Sequence, residues 1–182
     1  MRTIIARNRP HHIIVEVANF LRSVPLFAEF EPAEIEELRK SLLTTQFAAK
    51  DIILEEGNAN RALHIVGKGR IRVARLVGDG EVPLCDLSAG QTFGELSIID
   101  DGVASATLYA LTPTEVLSLS SDALSTFLRD RPVAAAKFWR ALAGELRRRL
   151  ISTNDVVRTY FEMNRALVEN PTFRDAYALC NR

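Results

Sequence analysis

The chain has 182 residues, 47% of them hydrophobic, and its 23 Lys and Arg residues equal its 23 Asp and Glu residues in number. This length predicts one domain with helical extensions, large enough to form a core without disulfides or metal. The charge balance argues against a dedicated nucleic-acid-binding protein, and without a run of 18 apolar residues no membrane span is predicted. Cys85 and Cys180 are isolated, so neither a disulfide framework nor a zinc site is expected. The N-terminus lacks the apolar core of a signal peptide, and we expect a cytoplasmic protein.

The N-terminal segment, residues 1–44, is predicted to be helical. Residues 13–23 carry apolar side chains at helical spacing, and Pro25 prevents the helix from continuing. A second helix is predicted over residues 31–43, because Pro32 suits a first turn and acidic residues follow it.

From residue 45 to 120 the pattern changes to short β-type runs separated by Gly, Asn, Asp and Pro. Asp79-Gly80, between two alternating runs, predicts a β-hairpin. Short strands at this spacing predict an antiparallel sandwich or jelly-roll barrel. The predicted strands cover residues 51–54, 62–66, 69–77, 81–87, 105–111 and 115–120.

The helical pattern returns over residues 121–182. A short helix is predicted over 122–130 and a long one over 133–169, followed by a short terminal helix from Pro171 to Arg182. The long helix exceeds what a barrel of this size can cover on one side, so part of its apolar stripe should meet another chain. We therefore expect a homodimer through the 133–169 helix.

Residues 89–107 carry the densest signal for a binding site. Gly90 and Gly94 allow the backbone to approach a ligand closely, and Glu95 could accept a hydrogen bond from a ribose hydroxyl. Exposed N–H groups at such a turn can hold a phosphate. Judged from the residues alone, a glycine-rich loop between strands is usually an ordinary loop, and a binding site is the alternative.

Four segments of the chain form an ordered set of motifs: FLRSVPLF (20–27), ILEEGNANRALHIVGKGRIRV (53–73), SAGQTFGELSII (88–99) and SATLYAL (105–111), with glycines at 57, 69, 90 and 94. Through these motifs, residues 20–165 resemble the cyclic-nucleotide-binding domain family, found in the catabolite activator protein and in protein kinase A regulatory subunits. The resemblance implies an α+β fold: an antiparallel β jelly-roll barrel flanked by N-terminal helices and a long C-terminal helix.

The resemblance also implies a ligand site inside the barrel. Glu95 would hold the ribose 2′-hydroxyl, and the backbone at Gly94 and Glu95 would face the cyclic phosphate. The long helix would bring residues to the purine edge, with Thr153 reading an adenine amino group. The full implied set is Gly94, Glu95, Leu96 and Ser105 around the phosphate and ribose, Val73, Leu84, Cys85 and Phe93 along the sugar and base, and Arg149, Thr153 and Asn154 on the helix.

One residue departs from the family pattern. In the family, the ninth residue after the glutamate is an arginine that pairs with the phosphate. In this chain that position is occupied by Ala104. Leaving the phosphate without a partner costs ~3–5 kcal/mol, or about 10²–10⁴ in affinity. Strand alternation places Arg70 and Arg72 outside the barrel, which leaves Ser105 and Arg149 as substitutes.

Two hypotheses follow for function, and neither is an enzyme. The first is a regulatory domain that senses a cyclic nucleotide or cyclic dinucleotide such as cyclic di-GMP and signals through a protein partner. The second is a protein-interaction scaffold with a retired nucleotide pocket. The residues after Asp155 are too few for a winged helix, so direct DNA binding is not expected. No metal and no cofactor is expected beyond a possible cyclic nucleotide ligand.

Overall fold

A computed structural model of the chain describes residues 11–78, 80–99 and 102–171. The chain forms two compact units, Met1–Ala141 and Leu142–Arg182. The predicted division into residues 1–44, 45–120 and 121–182 stays a prediction. Asp79 of the predicted hairpin and residues 172–182 of the predicted terminal helix lie outside the described residues.

Helices flank the strands at both ends of the chain. The helices are α1 (His11–Ser23), a 3-10 turn (Pro25–Phe27), α2 (Pro32–Lys40), α3 (Leu96–Ile99), α4 (Ser121–Asp130) and α5 (Pro132–Glu169). The strands are β1 (Leu42–Phe47), β2 (Ile52–Leu54), β3 (Ala62–Lys68), β4 (Arg70–Val77), β5 (Gly80–Ser88), β6 (Thr92–Phe93), β7 (Thr107–Ala110) and β8 (Thr114–Ser120). The long C-terminal helix is confirmed.

The strands form two antiparallel sheets, in the orders β1-β8-β3-β6 and β2-β7-β4-β5. Neighbours in these sheets are mostly distant in sequence, as in jelly rolls, where connections cross between sheets. The described strands therefore form two facing layers rather than one closed hydrogen-bonded barrel, and the predicted fold class is confirmed.

Two strands were not predicted from the sequence. The predicted helix over 31–43 ends earlier, because the backbone N–H of Ser41 donates to the Leu38 carbonyl at 3.0 Å and closes α2. Strand β1 then begins at Leu42 and pairs with β8 along its whole length. Strand β6 has only two residues and pairs with β3. Both strands depend on partners that lie far away in sequence, so local periodicity does not reveal them.

Two apolar clusters support the first unit. Between the sheets, six buried side chains form one cluster: Val66, Ile71, Leu87, Phe93, Leu108 and Val116. Among the helices, aromatic rings stack, with Phe27 6.2 Å from Phe138 and Phe30 5.9 Å from Phe127 between ring centroids. The start of α5 is thereby fixed against the N-terminal helices. Across the described ranges no helix has the length and apolarity needed to cross a membrane.

Candidate ligand-binding site

The turn between β6 and α3 carries Gly94 and Glu95. Gly94 has a φ of +75°, and a Cβ built on it would lie 2.5 Å from Asn60 Nδ2 and 2.7 Å from the Ala62 carbonyl oxygen. These distances are too short for a side chain, so only glycine lets this turn rest directly on the start of β3. The strong sequence signal at Gly94 thus has a packing cause in the fold.

A polar network lies directly beneath this turn. Asn60 Nδ2 donates to the Ala62 carbonyl at 3.0 Å, which leaves Asn60 Oδ1 to accept from His64 Nε2 at 3.0 Å. His64 Nδ1 then accepts from the Ser118 hydroxyl at 2.8 Å. The His64 ring also stacks on Phe93, with centroids 4.8 Å apart. The His64 imidazole therefore connects the strand pair β3-β8 with the Asn60 side chain on which the turn rests.

Burial keeps that imidazole neutral. Desolvation lowers the pKa of His64 from 6.5 to about 4, because the charged ring would lose its hydration inside the fold. A neutral ring has one N–H, which the network assigns to Nε2, and one acceptor, Nδ1. The hydrogen-bond pattern and the neutral state therefore agree.

Glu95 follows Gly94 and is a buried carboxylic residue, only 5% exposed. Its carbonyl accepts from the Ile98 N–H at 3.2 Å, which starts the short helix α3. Leu96, the first residue of that helix, is exposed. The turn therefore buries a carboxylate and presents an apolar side chain to solvent next to it.

The segment before β7 forms the second part of the site. The Ala104 N–H donates to the Asn58 carbonyl and the Gly57 N–H donates to the Ala104 carbonyl, both at 2.9 Å. Ala104 is buried and Ser105 is exposed. Residues 57–60 therefore contact both parts of the site. Gly57 and Asn58 hydrogen-bond Ala104, and Asn60 contacts Gly94.

The residues expected along the sugar and base lie in three environments. Phe93 is in the buried core cluster, and Val73 is half-buried against that cluster. Val73 pairs with Cys85 and Ala74 pairs with Pro83, so Leu84 is the extra residue of a β-bulge. Leu84 and Cys85 are both exposed. The sheet brings Val73 and Cys85 side by side.

The three predicted helix residues belong to the second unit. Arg149 Nε lies 3.4 Å from Glu145 Oε1, and the Thr153 hydroxyl donates to the Arg149 carbonyl at 2.9 Å. Thr153 and Asn154 are exposed. Their role at a purine edge stays a prediction, as do the ligand roles of the residues in the first unit.

Arg70 and Arg72 lie where strand alternation predicts, on the outer face of their sheet. Both bind Asp86, Arg70 through Nη2 and Arg72 through Nε, at 2.9 Å each. The Arg72 guanidinium, through its hydrogen bond, holds the pKa of Asp86 below its usual range. Both cations are thus engaged with a carboxylate on that face.

Residues 44–131 match the family model of the cyclic nucleotide-binding domain. The chain belongs to this family. It is 31% identical over 135 residues to a CRP-like cAMP-activated global transcriptional regulator of Mycobacterium tuberculosis, an alignment that covers 74% of this chain and 60% of the regulator. The chain therefore spans about three fifths of the length of that relative.

Solved structures agree with this membership. The N-terminal domain of a transcriptional regulator from Streptomyces coelicolor is 35% identical with a TM-score of 0.64, covering 76% of this chain and 94% of that one. A cyclic nucleotide-binding domain from Methylobacillus flagellatus is 25% identical with a TM-score of 0.72, covering 82% of this chain and 84% of that one.

Sequence reasoning did not place two features of this site. The bonds of His64 to Asn60 and Ser118 join segments that only the fold brings together. The ion pair between Arg75 and Glu56 was not predicted either. The only available signal for it was strand alternation, which places Arg75 on the same face as Val73.

We expect Gly94→Ala to destabilise the domain far more than Gly90→Ala. Both glycines have positive φ, +75° and +85°, but a Cβ at Gly90 meets nothing within 4 Å. Gly90→Ala should cost about 1 kcal/mol from backbone strain alone. Gly94→Ala should cost at least ~2 kcal/mol more, because backbone and side-chain atoms must move. Urea denaturation of both variants measures the difference, and equal costs would contradict the close packing described here.

We expect His64 to make the domain less stable in mild acid. The unfolded imidazole takes up a proton near pH 6.5 and the folded one only near pH 4, so the free energy of unfolding falls as pH decreases through this window. Between pH 7 and 4.5 the loss should be about 2–3 kcal/mol larger in the native protein than in His64→Gln. Urea denaturation at both pH values checks this, and parallel losses in the two proteins would refute it.

Proposed function

We propose that this domain is a regulatory module that binds a cyclic nucleotide at the Gly94–Glu95 turn and passes the signal on through protein contacts. The observation that carries the proposal is the turn itself. Its glycine rests on Asn60 and Ala62 with no room for a side chain, and it buries the carboxylic residue Glu95 at 5% exposure. The carboxyl oxygens of this residue are of the type that accepts hydrogen bonds from ribose hydroxyls.

The relatives support a nucleotide as the ligand class. The Mycobacterium tuberculosis regulator is named as cAMP-activated, and a Thermus thermophilus relative, 30% identical over 128 residues, is named a cyclic AMP receptor protein. We extend the class, by this analogy, to cyclic mononucleotides and cyclic dinucleotides, because Ala104 removes the residue expected to choose among phosphates.

The output of the module is proposed to pass through a homodimer formed by the second unit. From residue 150 to 169 the five charged residues pair with one another along the helix: Asp155 and Glu162 with Arg158, and Glu169 with Arg165. The opposite side carries exposed apolar residues: Leu150, Val156, Val157, Tyr160, Phe161 and Met163. No charge on this side is left for a charged partner, so a second copy of the same helix fits it best.

A ligand-free scaffold is the second candidate. Ala104 favours it, since the buried methyl group can neither neutralise nor donate to a phosphate. In this case the same dimer would form and recruit a protein partner without responding to nucleotides.

We expect isothermal titration of the full chain with cAMP, cGMP and cyclic di-GMP to detect binding at tens of micromolar or tighter. Glu95→Ala should weaken it at least about tenfold, because a buried hydrogen bond to a charged group is lost. Glu36→Gln, on the exposed face of α2, is the matched control and should bind like the native protein. Absence of heat with all three ligands, in a protein that still dimerises, would favour the scaffold.

We expect Val157→Lys to convert the dimer to a monomer in sedimentation experiments. The substitution places a charge in the centre of the apolar side, where a second helix would bury it. Ala166→Lys adds the same charge on the other side of the helix, four residues from Glu162, and should leave the dimer intact. A monomeric native protein, or equal effects of the two variants, would rule out this interface.

A further inference from the structure

The strand β4 carries a third arginine, which faces the opposite way from Arg70 and Arg72. Side chains two residues apart on a strand share a face, and Ile71 and Val73 belong to the core face. Arg75 is therefore on the inner face of the sheet. It is 56% exposed, so it lies where this face opens to solvent.

The register of the sheet gives the position of Arg75 relative to the candidate site. Ala74 pairs with Thr107, the first residue of β7, so Arg75 lies one residue beyond the end of the β4–β7 pairing. Ala104 and Ala106 precede β7 in the chain, and both are buried. Arg75 therefore lies at the end of β7 that follows Ala104 and Ala106.

A carboxylate on the far side of β7 holds this arginine. The Glu56 N–H donates to the Thr107 hydroxyl at 3.0 Å, which fixes Glu56 beside β7. Arg75 Nε and Nη2 both donate to Glu56 Oε1, at 3.0 and 2.9 Å. Because β7 lies between β2 and β4, the ion pair connects the segment after β2 to β4 at the end of β7 that begins with Thr107.

In the ion pair between Arg75 and Glu56, neither side chain uses all of its hydrogen-bonding groups. Two of the five guanidinium N–H groups share one carboxylate oxygen, whereas Glu56 Oε2 is buried and has no hydrogen-bond partner among the described residues. A bidentate pair would use both oxygens. By contrast, Arg72 donates to both oxygens of Asp86 on the outer face. Arg75 therefore keeps donors for a second, anionic partner.

We propose that Arg75, held by Glu56, binds the anionic group of the ligand, a phosphodiester, in place of the missing side chain at position 104. This inference rests on the proposed function for the presence of a ligand. Residues 57 and 58, which follow Glu56, bind Ala104, and Asn60 contacts Gly94, so one short segment joins the arginine to the Gly94–Glu95 turn.

The same pair makes Glu56 a competitor of the ligand. While Arg75 is bound to Glu56 the pair has no net charge, so an anion gains less there than beside an unpaired arginine. Removing the Glu56 charge should therefore strengthen anion binding. A purely structural ion pair would respond in the opposite way, since loss of either partner would damage the site.

The test compares the native protein, three single variants and one double variant by isothermal titration with cAMP and cyclic di-GMP, with adenosine as a ligand that lacks the phosphate. Arg75→Gln should weaken nucleotide binding about 10- to 100-fold and leave adenosine binding unchanged. Glu56→Gln should tighten nucleotide binding several-fold. Arg72→Gln, the matched control on the outer face, should bind like the native protein. Thermal denaturation of each variant confirms that it is folded.

The outcomes separate the two proposals. Nucleotide binding that is equal in the native protein and in folded Arg75→Gln would overturn the role of Arg75 and leave the proposed function standing. If the native protein does not bind, the proposed function fails. Binding gained in Glu56→Gln and lost in the Glu56→Gln/Arg75→Gln double variant would still support the Arg75 site. Absence of binding in Glu56→Gln as well would overturn both.

Discussion

The close approach of the Gly94 backbone to β3 is the contact on which the candidate site depends. It places the buried Glu95 next to a network in which Asn60, His64 and Ser118 are joined through one neutral imidazole. Residues 57 and 58, just before Asn60, also hydrogen-bond Ala104. Movement of this single segment would therefore shift both parts of the site together, which is the kind of coupling a ligand-responsive domain requires.

The two faces of the sheet β2-β7-β4-β5 differ in how their arginines pair with carboxylates. On the outer face, Arg70 and Arg72 converge on Asp86 and leave that carboxylate fully engaged. On the inner face, Arg75 Nε and Nη2 both donate to a single oxygen of Glu56. Both arrangements are exposed enough that they add little to stability. Of the two, only the inner arrangement leaves a buried carboxylate oxygen, Glu56 Oε2, without a hydrogen bond among the described residues.

The second unit has a different physical character. The charged residues between Asp155 and Glu169 form ion pairs with one another along its helix. Apolar side chains such as Val157 and Phe161 are exposed. A helix of this kind gains little stability alone and gains much when its apolar side is covered. A regulatory domain built from such a helix and a rigid β core can convert a local change at a turn into a change of partner contact.

The sequence by itself determined the fold class, most of the strands and the long helix, because these depend on local periodicity and on turn residues. It also identified the Gly94–Glu95 turn, since glycines at fixed spacing record where backbones must approach closely. It missed β1 and β6, whose pairing comes from distant strands, and it could not link His64 to Ser118, 54 residues away. Arg75 and Glu56 are 19 residues apart and meet because β4 and β2, which ends just before Glu56, both pair with β7. Whether a charged residue on a strand is a solvated surface group or part of a site is decided by sheet order and register, which only the tertiary structure supplies.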